Sequence, residues 1–372
     1  MKKVIVAPDS FKGSLSAKEA ADIIAAEVTA RCPDCAVVKL PLADGGEGSI
    51  ETIIAALGGR IEETRALSPD GRQIAAGFGI TASGQAVLEV AASSGITRQA
   101  GLHPMTSSTF GFGQLILRAL ELGLRDFFLC LGGSATTDGG CGMAAALGVK
   151  FLDASGACFI PCGATLQHIA RIDISDIDRR VRDSNFTVMC DVDNPLYGPD
   201  GAAFVYGPQK GAEAAQIQAL DLGLRRVSKV FLRTFGHDYA PVLGAGAAGG
   251  LGFGCLAFLD ARLESGIDAV LELCDFKECL KDTDLIITGE GKLDQQSFSG
   301  KALSGILRAA GTIPVVSICG ACDAEECQLR AHNLTVFETS EGISIEESMK
   351  RPEKYLRRAV SKALFDTLRI CP

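Results

Sequence analysis

The chain has 372 residues, of which 47% are hydrophobic and 22% charged, and its formal net charge is −9. This length favours two domains over one, and the acidic balance argues against nucleic acid or an anionic membrane as the main partner, because both bind clustered Lys and Arg. No apolar run reaches the roughly 20 residues of a membrane span, and the first apolar run is too short for a signal peptide.

Six apolar segments rich in β-branched residues predict short buried strands, each closed by Gly, Pro, Asp or Ser. In chain order they begin at Val4, Ala36, Phe127, Asp284, Pro314 and Leu334. Helical patterns lie between several of them, such as SAKEAADIIAAEVTARC from Ser16, where Ser16 and Glu19 have capping-box spacing. The repetition of strand, helix and strand predicts βαβ units and a mainly parallel sheet.

The middle of the chain has a different pattern, with alternating segments from Arg72 and a loop-rich stretch near Ile160. Together with a helical run at 211–235 they predict a second domain, while an amphipathic helix at 345–369 is expected to cover the sheet. The predicted fold class is α/β: a mainly parallel, doubly wound, Rossmann-like sheet domain with a second α/β domain inserted and a cleft between them. The predicted boundaries are 1–63, 106–145 and 265–372 for the Rossmann-like domain, and 64–105 and 146–264 for the inserted domain.

Polar, glycine-rich segments follow four of the predicted strands. They are 8–14 (PDSFKGS), 44–48 (DGGEG), 132–140 (GGSATTDGG) and 289–294 (GEGKLD). In open parallel sheets, ligands bind beyond the carboxyl ends of the strands. The four segments are therefore expected to converge on one edge of a sheet.

The segment 132–140 joins a predicted strand to an Ala-rich helical run and has the chemical character of a phosphate cradle. Its backbone N–H groups and the helix N-terminus can receive phosphate oxygens, with hydroxyl donors from Ser134, Thr136 and Thr137. The alternative is a tight turn with Thr137 or Asp138 as the helix N-cap. The predicted nucleotide- or substrate-binding residues in the four segments are Asp9, Ser10, Gly45, Gly46, Gly132, Gly133, Ser134, Thr136, Thr137, Asp138, Gly289 and Glu290.

Three charged residues are candidates for catalysis. Lys12 and Lys292 can neutralise phosphate or carboxylate charge, as a phosphoryl-transfer site requires. Asp191 follows an apolar run from Phe186 and can accept the proton of a substrate hydroxyl. The alternatives are surface lysines and an ordinary Asx turn.

Carboxylates in the same segments predict a magnesium site, because Mg²⁺ is a hard cation that prefers carboxylate oxygens and retains several waters. The predicted ligands are Asp44, Glu47 and Asp294, and Glu290 is a further carboxylate of this kind. For each of them, an N-cap or a solvated turn carboxylate is the alternative.

Known nucleotide-binding motifs are a poor match to this chain. It has no G-x-x-x-x-G-K-[ST] and no HRD or DFG set, which argues against P-loop and protein kinases. Gly244, Gly246 and Gly249 match GxGxxG, but the preceding residues form a poor strand interrupted by Pro241. We interpret this segment as a flexible or tightly packed inter-domain loop that also lines the cleft, with an NAD(P)-dependent oxidoreductase as the alternative.

The fourteen cysteines are scattered, without an export signal, which favours a reduced, cytoplasmic protein. Two pairs have CxxC spacing, Cys32 with Cys35 and Cys319 with Cys322. Because neither has a second pair or a His pair nearby in sequence, we interpret them as structural residues of the core.

Seven motifs, in this order along the chain, resemble those of the bacterial glycerate kinases of the GarK type, the glycerate 2-kinases. They are APDSFKGSLSA, PLADGGEGS, GGSATTDGG, CDVDNPLYGPDGA, YGPQKGA, GAGAAGGLG and TGEGKLDQQS. The resemblance runs from the first predicted strand to PVVSICG and so covers nearly the whole chain.

This resemblance implies an enzyme that phosphorylates D-glycerate with ATP and Mg²⁺ and forms 2-phosphoglycerate in a cleft between two α/β domains. The implied partners are these small molecules, and a homo-oligomer remains open. Three alternatives remain: a kinase of another small hydroxy or sugar acid, the oxidoreductase, and a non-catalytic sensor of nucleotide or glycerate.

Overall fold

The computed structural model describes residues 2–40, 42, 48–298, 302–325, 329 and 334–368. They form two compact units, each described below by itself. The terminal unit lies within Met1–Asp44, Glu51–Gly58 and Ile267–Pro372, and the middle unit within Gly45–Ile50 and Gly59–Gly266.

The strands are numbered along the chain. They are β1 (Lys3–Val6), β2 (Ala36–Lys39), β3 (Gly59–Leu67), β4 (Gln73–Thr81), β5 (Ala86–Glu89), β6 (Asp126–Cys130), β7 (Lys150–Leu152), β8 (Cys158–Phe159), β9 (Arg171–Asp173), β10 (Asn185–Met189), β11 (Arg262–Glu264), β12 (Leu285–Leu293), β13 (Val315–Cys322) and β14 (Leu334–Glu338).

The α-helices are numbered in the same way. They are α1 (Ala17–Arg31), α2 (Ser49–Leu57), α3 (Ala91–Ser94), α4 (Phe110–Glu121), α5 (Cys141–Ala146), α6 (Arg179–Arg182), α7 (Ala202–Tyr206), α8 (Ala214–Phe235), α9 (Ala247–Leu259), α10 (Gly266–Leu273), α11 (Phe276–Cys279), α12 (Ala302–Ala310), α13 (Ile345–Lys350) and α14 (Pro352–Leu368). Short 3-10 helices lie at Ile96–Arg98, Gly163–His168, Pro208–Lys210 and Gln295–Phe298.

The terminal unit contains a five-stranded sheet in the order β14-β13-β12-β1-β2, with every pairing parallel. Val4 and Val6 of β1 share a core cluster with Ile24 of α1 and Val360 of α14, and Ile5 between them is also fully buried. Neighbouring strand residues point to opposite faces, so both faces of the sheet are covered. The predicted parallel, doubly wound α/β sheet is confirmed.

The ends of two helices show which helix boundaries were predicted correctly from the local sequence. The predicted capping box at α1 is present: the Ser16 hydroxyl accepts from the Glu19 N–H at 3.2 Å, and the Glu19 carboxylate accepts from the Ser16 N–H at 2.9 Å. The single C-terminal helix predicted at 345–369 is wrong, because the chain breaks at Arg351 (φ −135°) between α13 and α14. Pro352 causes this break, since a proline disfavours helical geometry in the residue before it.

The middle unit contains a six-stranded sheet in the order β11-β10-β6-β5-β4-β3. The pairings from β11 to β5 are parallel, and those of β5 with β4 and β4 with β3 are antiparallel. A small antiparallel sheet has the order β8-β7-β9. Phe112 of α4, Leu224 of α8 and Phe253 of α9 belong to one core cluster with β6 and β10. Parallel strands with helices packed against them make this a second α/β unit.

The segment 106–145 lies in the middle unit, and the predicted boundaries that joined it to the Rossmann-like domain differ from the structure here. Its strand β6 pairs with β5 and β10, whereas the other five predicted strands form the terminal sheet. All six are apolar runs, and this pattern does not tell which strands share a sheet.

The described helices include none that is both long enough and apolar enough to span a membrane.

Removing apolar volume from beneath α1 tests the packing of the terminal unit. Ile24 is fully buried, while Ile345 at the start of α13 is 54% exposed. We expect Ile24→Ala to lower the free energy of unfolding by about 2–5 kcal/mol, because it leaves a cavity. The matched control Ile345→Ala should change it by less than about 1 kcal/mol. Urea unfolding followed by circular dichroism measures both, and equal losses would contradict this packing.

Candidate active site

In the middle unit, the parallel strands β5, β6, β10 and β11 end at one edge of the sheet. Glu89, Cys130, Met189 and Glu264 are register partners at this end. The loop at 132–140 and the segment that contains Asp191 therefore leave neighbouring strands at the same edge. This is the position at which open α/β sheets bind ligands.

Two short contacts fix the start of the 132–140 loop. The Ile96 N–H donates to the Gly133 carbonyl at 3.0 Å, and the Ala135 N–H donates to the Ser94 carbonyl at 2.9 Å. Gly133 has a φ of +76°, in the left-handed region where a side chain is unfavourable. The loop is therefore held against the segment that follows β5.

Asp138 anchors the end of this loop from inside. Its carboxylate is fully buried and accepts from the Thr109 N–H at 2.7 Å, the Thr109 hydroxyl at 2.8 Å, and the N–H groups of Gly140 and Gly142 at 3.2 Å each. Burial raises the pKa of Asp138, and the donors around it act in the opposite direction. Asp138 thus ties the loop to the starts of α4 and α5. The N-cap of α5 is Gly140, so the alternative with Thr137 or Asp138 as the N-cap is wrong.

Lys210 anchors the centre of the loop. Its side chain is 2% exposed, and its ammonium donates to the Ser134 hydroxyl at 2.8 Å and the Thr136 carbonyl at 2.6 Å. Burial lowers the pKa of Lys210 to about 7, and the charge of Asp138 opposes that shift.

Sequence reasoning gave Lys210 no role. The residue lies in YGPQKGA, between Gly207 and Gly211, in a segment used only for the family resemblance. Its setting among glycines and a proline resembled a surface turn, and the sequence carried no signal of its burial. Lysines are almost never fully buried unless they are paired.

Two threonine hydroxyls in the same loop lack a partner. Thr136 and Thr137 are fully buried, and neither Oγ1 atom has a hydrogen-bond partner among the described residues. A buried polar group left unpaired costs about 1–3 kcal/mol, and such groups are uncommon in folded proteins. The two unpaired hydroxyls make this loop a candidate binding site.

The glycine segment at 244–250 packs directly on this loop. The Gly139 N–H donates to the Gly249 carbonyl at 3.1 Å, and a Cβ atom on Gly249 would lie 2.0 Å from the Thr136 carbonyl oxygen. A Cβ atom on Gly246 would lie 2.3 Å from the Pro195 carbonyl oxygen. The tight packing was predicted, but the segment lies inside the middle unit and is not an inter-domain loop. Residues 237–246 contain no strand, so the dinucleotide-binding alternative lacks the strand that it requires.

Asp191 lies just beyond the end of β10. It is exposed, and its Oδ1 accepts from the Gly266 N–H at the start of α10, at 2.7 Å. This hydrogen bond orients the carboxylate at the edge that also carries the 132–140 loop.

In the terminal unit, the segment 8–14 runs beside the end of β12. The Asp9 N–H donates to the Gly289 carbonyl at 2.8 Å. A Cβ atom on Gly291 would lie 3.2 Å from the backbone nitrogen of Lys12. The prediction that 289–294 is a loop is wrong over most of its length. Gly289, Glu290 and Lys292 belong to β12, because their backbone pairs with β13 as far as Leu293. A glycine-rich stretch can continue a strand when it has a partner.

The charged side chains of this region have separate surroundings. Lys292 pairs with Asp323 at 2.7 Å, and this contact raises the pKa of Lys292. Lys12 is exposed. The buried Ser297 hydroxyl donates to the Glu290 carboxylate at 2.9 Å and accepts from the Asp294 N–H at 3.2 Å. Ser297 thereby links the Glu290 carboxylate to the backbone of Asp294.

The structure thus brings the predicted residues together in two groups. The 132–140 loop and Asp191 meet at the edge of the middle sheet, and the segments 8–14 and 289–294 meet in the terminal unit. The expectation that all four glycine-rich segments follow strands of one sheet is wrong, since β6 belongs to the middle sheet. The predicted Asp44, Gly45, Gly46 and Glu47 lie outside the described residues.

Comparison with known proteins shows the family to which the chain belongs. Residues 4–367 match the model of the glycerate kinase family. The chain belongs to the glycerate kinase family. A glycerate kinase of Bacillus subtilis is 41% identical over 96% of this chain and 95% of its own length. A glycerate 2-kinase of Escherichia coli is 41% identical over 89% of this chain and 88% of its own.

A solved structure shows the same fold. It is the crystal structure of a Salmonella typhimurium LT2 protein described as a glycerate kinase 2, with 37% identity and a TM-score of 0.88 over 99% of this chain and 98% of that one. The predicted membership of the family and the prediction of a kinase are confirmed.

A substitution at Gly249 tests the packing between the glycine segment and the loop. Gly249 (φ +73°) and Gly236 (φ +80°) have similar left-handed backbones, but a Cβ atom meets nothing within 4 Å at Gly236. Both alanine variants carry about 1 kcal/mol of backbone strain. We expect only Gly249→Ala to displace the Thr136 carbonyl and to lower kcat/KM by about tenfold or more. Steady-state kinetics compares them, and equal activity of the two variants would contradict the role of this contact.

Proposed function

We propose that this chain catalyses the ATP-dependent phosphorylation of D-glycerate to 2-phosphoglycerate, with Mg²⁺ as cofactor. Its membership of the glycerate kinase family supports the substrate, and the related Escherichia coli glycerate 2-kinase supports the position of the phosphate. The observation that carries the proposal is the 132–140 loop, with two buried hydroxyls that lack partners and one buried lysine. We also propose the cytoplasm as its compartment.

In this reaction the 2-hydroxyl oxygen of glycerate attacks the γ-phosphorus of ATP in line. A new O–P bond forms, the bond from the γ-phosphorus to the β,γ-bridging oxygen breaks, and ADP leaves. The hydroxyl proton passes to a base. Positioning and neutralisation of charge supply most of the catalysis in such transfers.

The roles of the candidate residues follow from their chemistry. Asp191 is the group that we propose orients the hydroxyl and receives its proton, since the Gly266 N–H holds one of its oxygens. Lys12 and Lys292 neutralise phosphate or carboxylate charge. The loop N–H groups and the threonine hydroxyls bind anionic oxygens.

The carboxylates fit a magnesium ion in chemical type. No group of three potential ligands is preassembled among the described residues, but Mg²⁺ commonly uses one or two carboxylates together with substrate phosphates and waters. Asp294 and Glu290 remain proposed ligands, together with Asp44 and Glu47. Ser297 links the Glu290 carboxylate to the backbone N–H of Asp294, which keeps the two residues close in the fold. When bound, the ion would neutralise charge on the nucleotide phosphates.

A coupled assay of the purified protein tests the reaction itself. With ATP, Mg²⁺ and D-glycerate we expect glycerate-dependent release of ADP, and phosphorus NMR should identify 2-phosphoglycerate. Release of ADP with other hydroxy or sugar acids in place of glycerate would move the proposal to a different substrate. Formation of 3-phosphoglycerate would contradict the proposed position of attack, and nucleotide binding without turnover would favour the sensor.

Alanine variants test the two lysines of the terminal unit. We expect Lys12→Ala and Lys292→Ala each to lower kcat/KM by about tenfold or more, because each removes a cation from the phosphate or carboxylate site. Lys18→Ala is the control, since Lys18 is also exposed and pairs with Asp22 on α1. Near wild-type kinetics in either test variant would remove that lysine from the proposal.

A further inference from the structure

We propose that Lys210 is a positioning residue whose ammonium fixes the conformation of the 132–140 loop as an anion site, and that the binding of an anionic oxygen group at Thr136 and Thr137 is coupled to proton uptake by Lys210. The anion is a phosphate of the nucleotide or the carboxylate of the hydroxy acid. The identity of these two ligands rests on the proposed function, and the coupling does not.

The first step of the argument is the geometry of the ammonium group. Its two acceptors, the Ser134 hydroxyl and the Thr136 carbonyl, stand on either side of Ala135. The same ammonium therefore fixes both the side chain that precedes Ala135 and the backbone that follows it. Charge-assisted hydrogen bonds are about twice as strong as neutral ones. Loss of the proton would weaken both contacts together.

The second step concerns the groups that are left without partners. The loop presents the Oγ1 atoms of Thr136 and Thr137, both buried and both without a hydrogen-bond partner among the described residues. A hydroxyl can donate to an anionic oxygen, and the nearby ammonium favours negative charge there. An anion would satisfy these two hydroxyls and the buried positive charge at the same time.

The third step is the charge around Lys210. Burial lowers its pKa to about 7, and Asp138 is the charged group that raises it. On the neighbouring segments, Arg98 and Glu213 are exposed, and the Tyr206 hydroxyl donates to the Asn194 side chain at 2.6 Å. With a pKa of about 7, part of the Lys210 population is neutral near pH 7 in the free protein.

The sign of the coupling follows from this pKa. A bound anion stabilises the charged lysine and so raises its pKa. At about pH 6 the lysine already carries its proton before binding, so little uptake is expected. At about pH 8 it is mostly neutral before binding and charged afterwards, so uptake approaches one proton per bound ligand.

Isothermal titration calorimetry of the full chain measures this uptake. MgADP and D-glycerate are titrated separately, in two buffers that differ in ionisation enthalpy. We expect uptake at about pH 8 that is smaller at about pH 6. Uptake with MgADP assigns the site to phosphate, and uptake with D-glycerate assigns it to carboxylate. Absence of uptake in both titrations would overturn the proposal.

Two substitutions tie the effect to Lys210. Lys210→Arg keeps a permanent charge and Lys210→Met removes it, so both should abolish the uptake that wild type shows at about pH 8. The kcat/KM of wild type should fall as pH rises above about 7, whereas that of Lys210→Arg should stay level to about pH 9. Uptake that persists in both variants would assign the proton to another group.

A third variant does not depend on replacing a buried lysine. Ser134→Ala removes one acceptor of the ammonium, which should lower the Lys210 pKa and move both the uptake and the fall in kcat/KM to lower pH. A merely structural role for Lys210 predicts no such shift, and an unmoved profile would overturn the proposal. Turnover without proton uptake defeats this inference alone, and uptake without glycerate-dependent ADP release defeats the proposed function alone.

Discussion

Two buried charges determine the shape of the 132–140 loop. The Lys210 ammonium and the Asp138 carboxylate lie inside the middle unit, where an ion is costly unless hydrogen bonds surround it. The loop and the first turns of α4 and α5 supply those hydrogen bonds. The close approach of Gly249 to the Thr136 carbonyl follows from the same arrangement, because a side chain there would displace the backbone that Lys210 holds.

The chemistry of the site follows from the parallel sheet on which this loop stands. Because β6 and β10 are neighbours and run in the same direction, the loop and Asp191 leave the sheet at one edge. In the proposed function, Asp191 accepts the proton of the substrate hydroxyl there, and the loop donates hydrogen bonds to anionic oxygens. The terminal unit, considered by itself, has lysines and carboxylates near the ends of its own parallel strands. Phosphoryl transfer requires these groups: cations, oriented N–H and hydroxyl donors, and a carboxylate for the attacking hydroxyl.

Local sequence signals predicted the parts of the fold that local interactions decide. The capping box at Ser16 and the apolar strands are of this kind. The break before Pro352 also follows from a local rule, but the prediction of a single helix at 345–369 did not apply it. The assignment of β6 to the middle sheet and the extension of β12 through Gly289 depend on partners that are distant in sequence. The burial of Lys210 could not be predicted, since it results from the packing of segments that are remote in sequence.

A crystal structure of the protein with MgADP and D-glycerate tests the central claim most directly. The account predicts an anionic oxygen within hydrogen-bond distance of Thr136 Oγ1 or Thr137 Oγ1, with the Lys210 ammonium still bound to Ser134 and Thr136. Both ligands bound elsewhere, with the two hydroxyls still lacking partners, would contradict it.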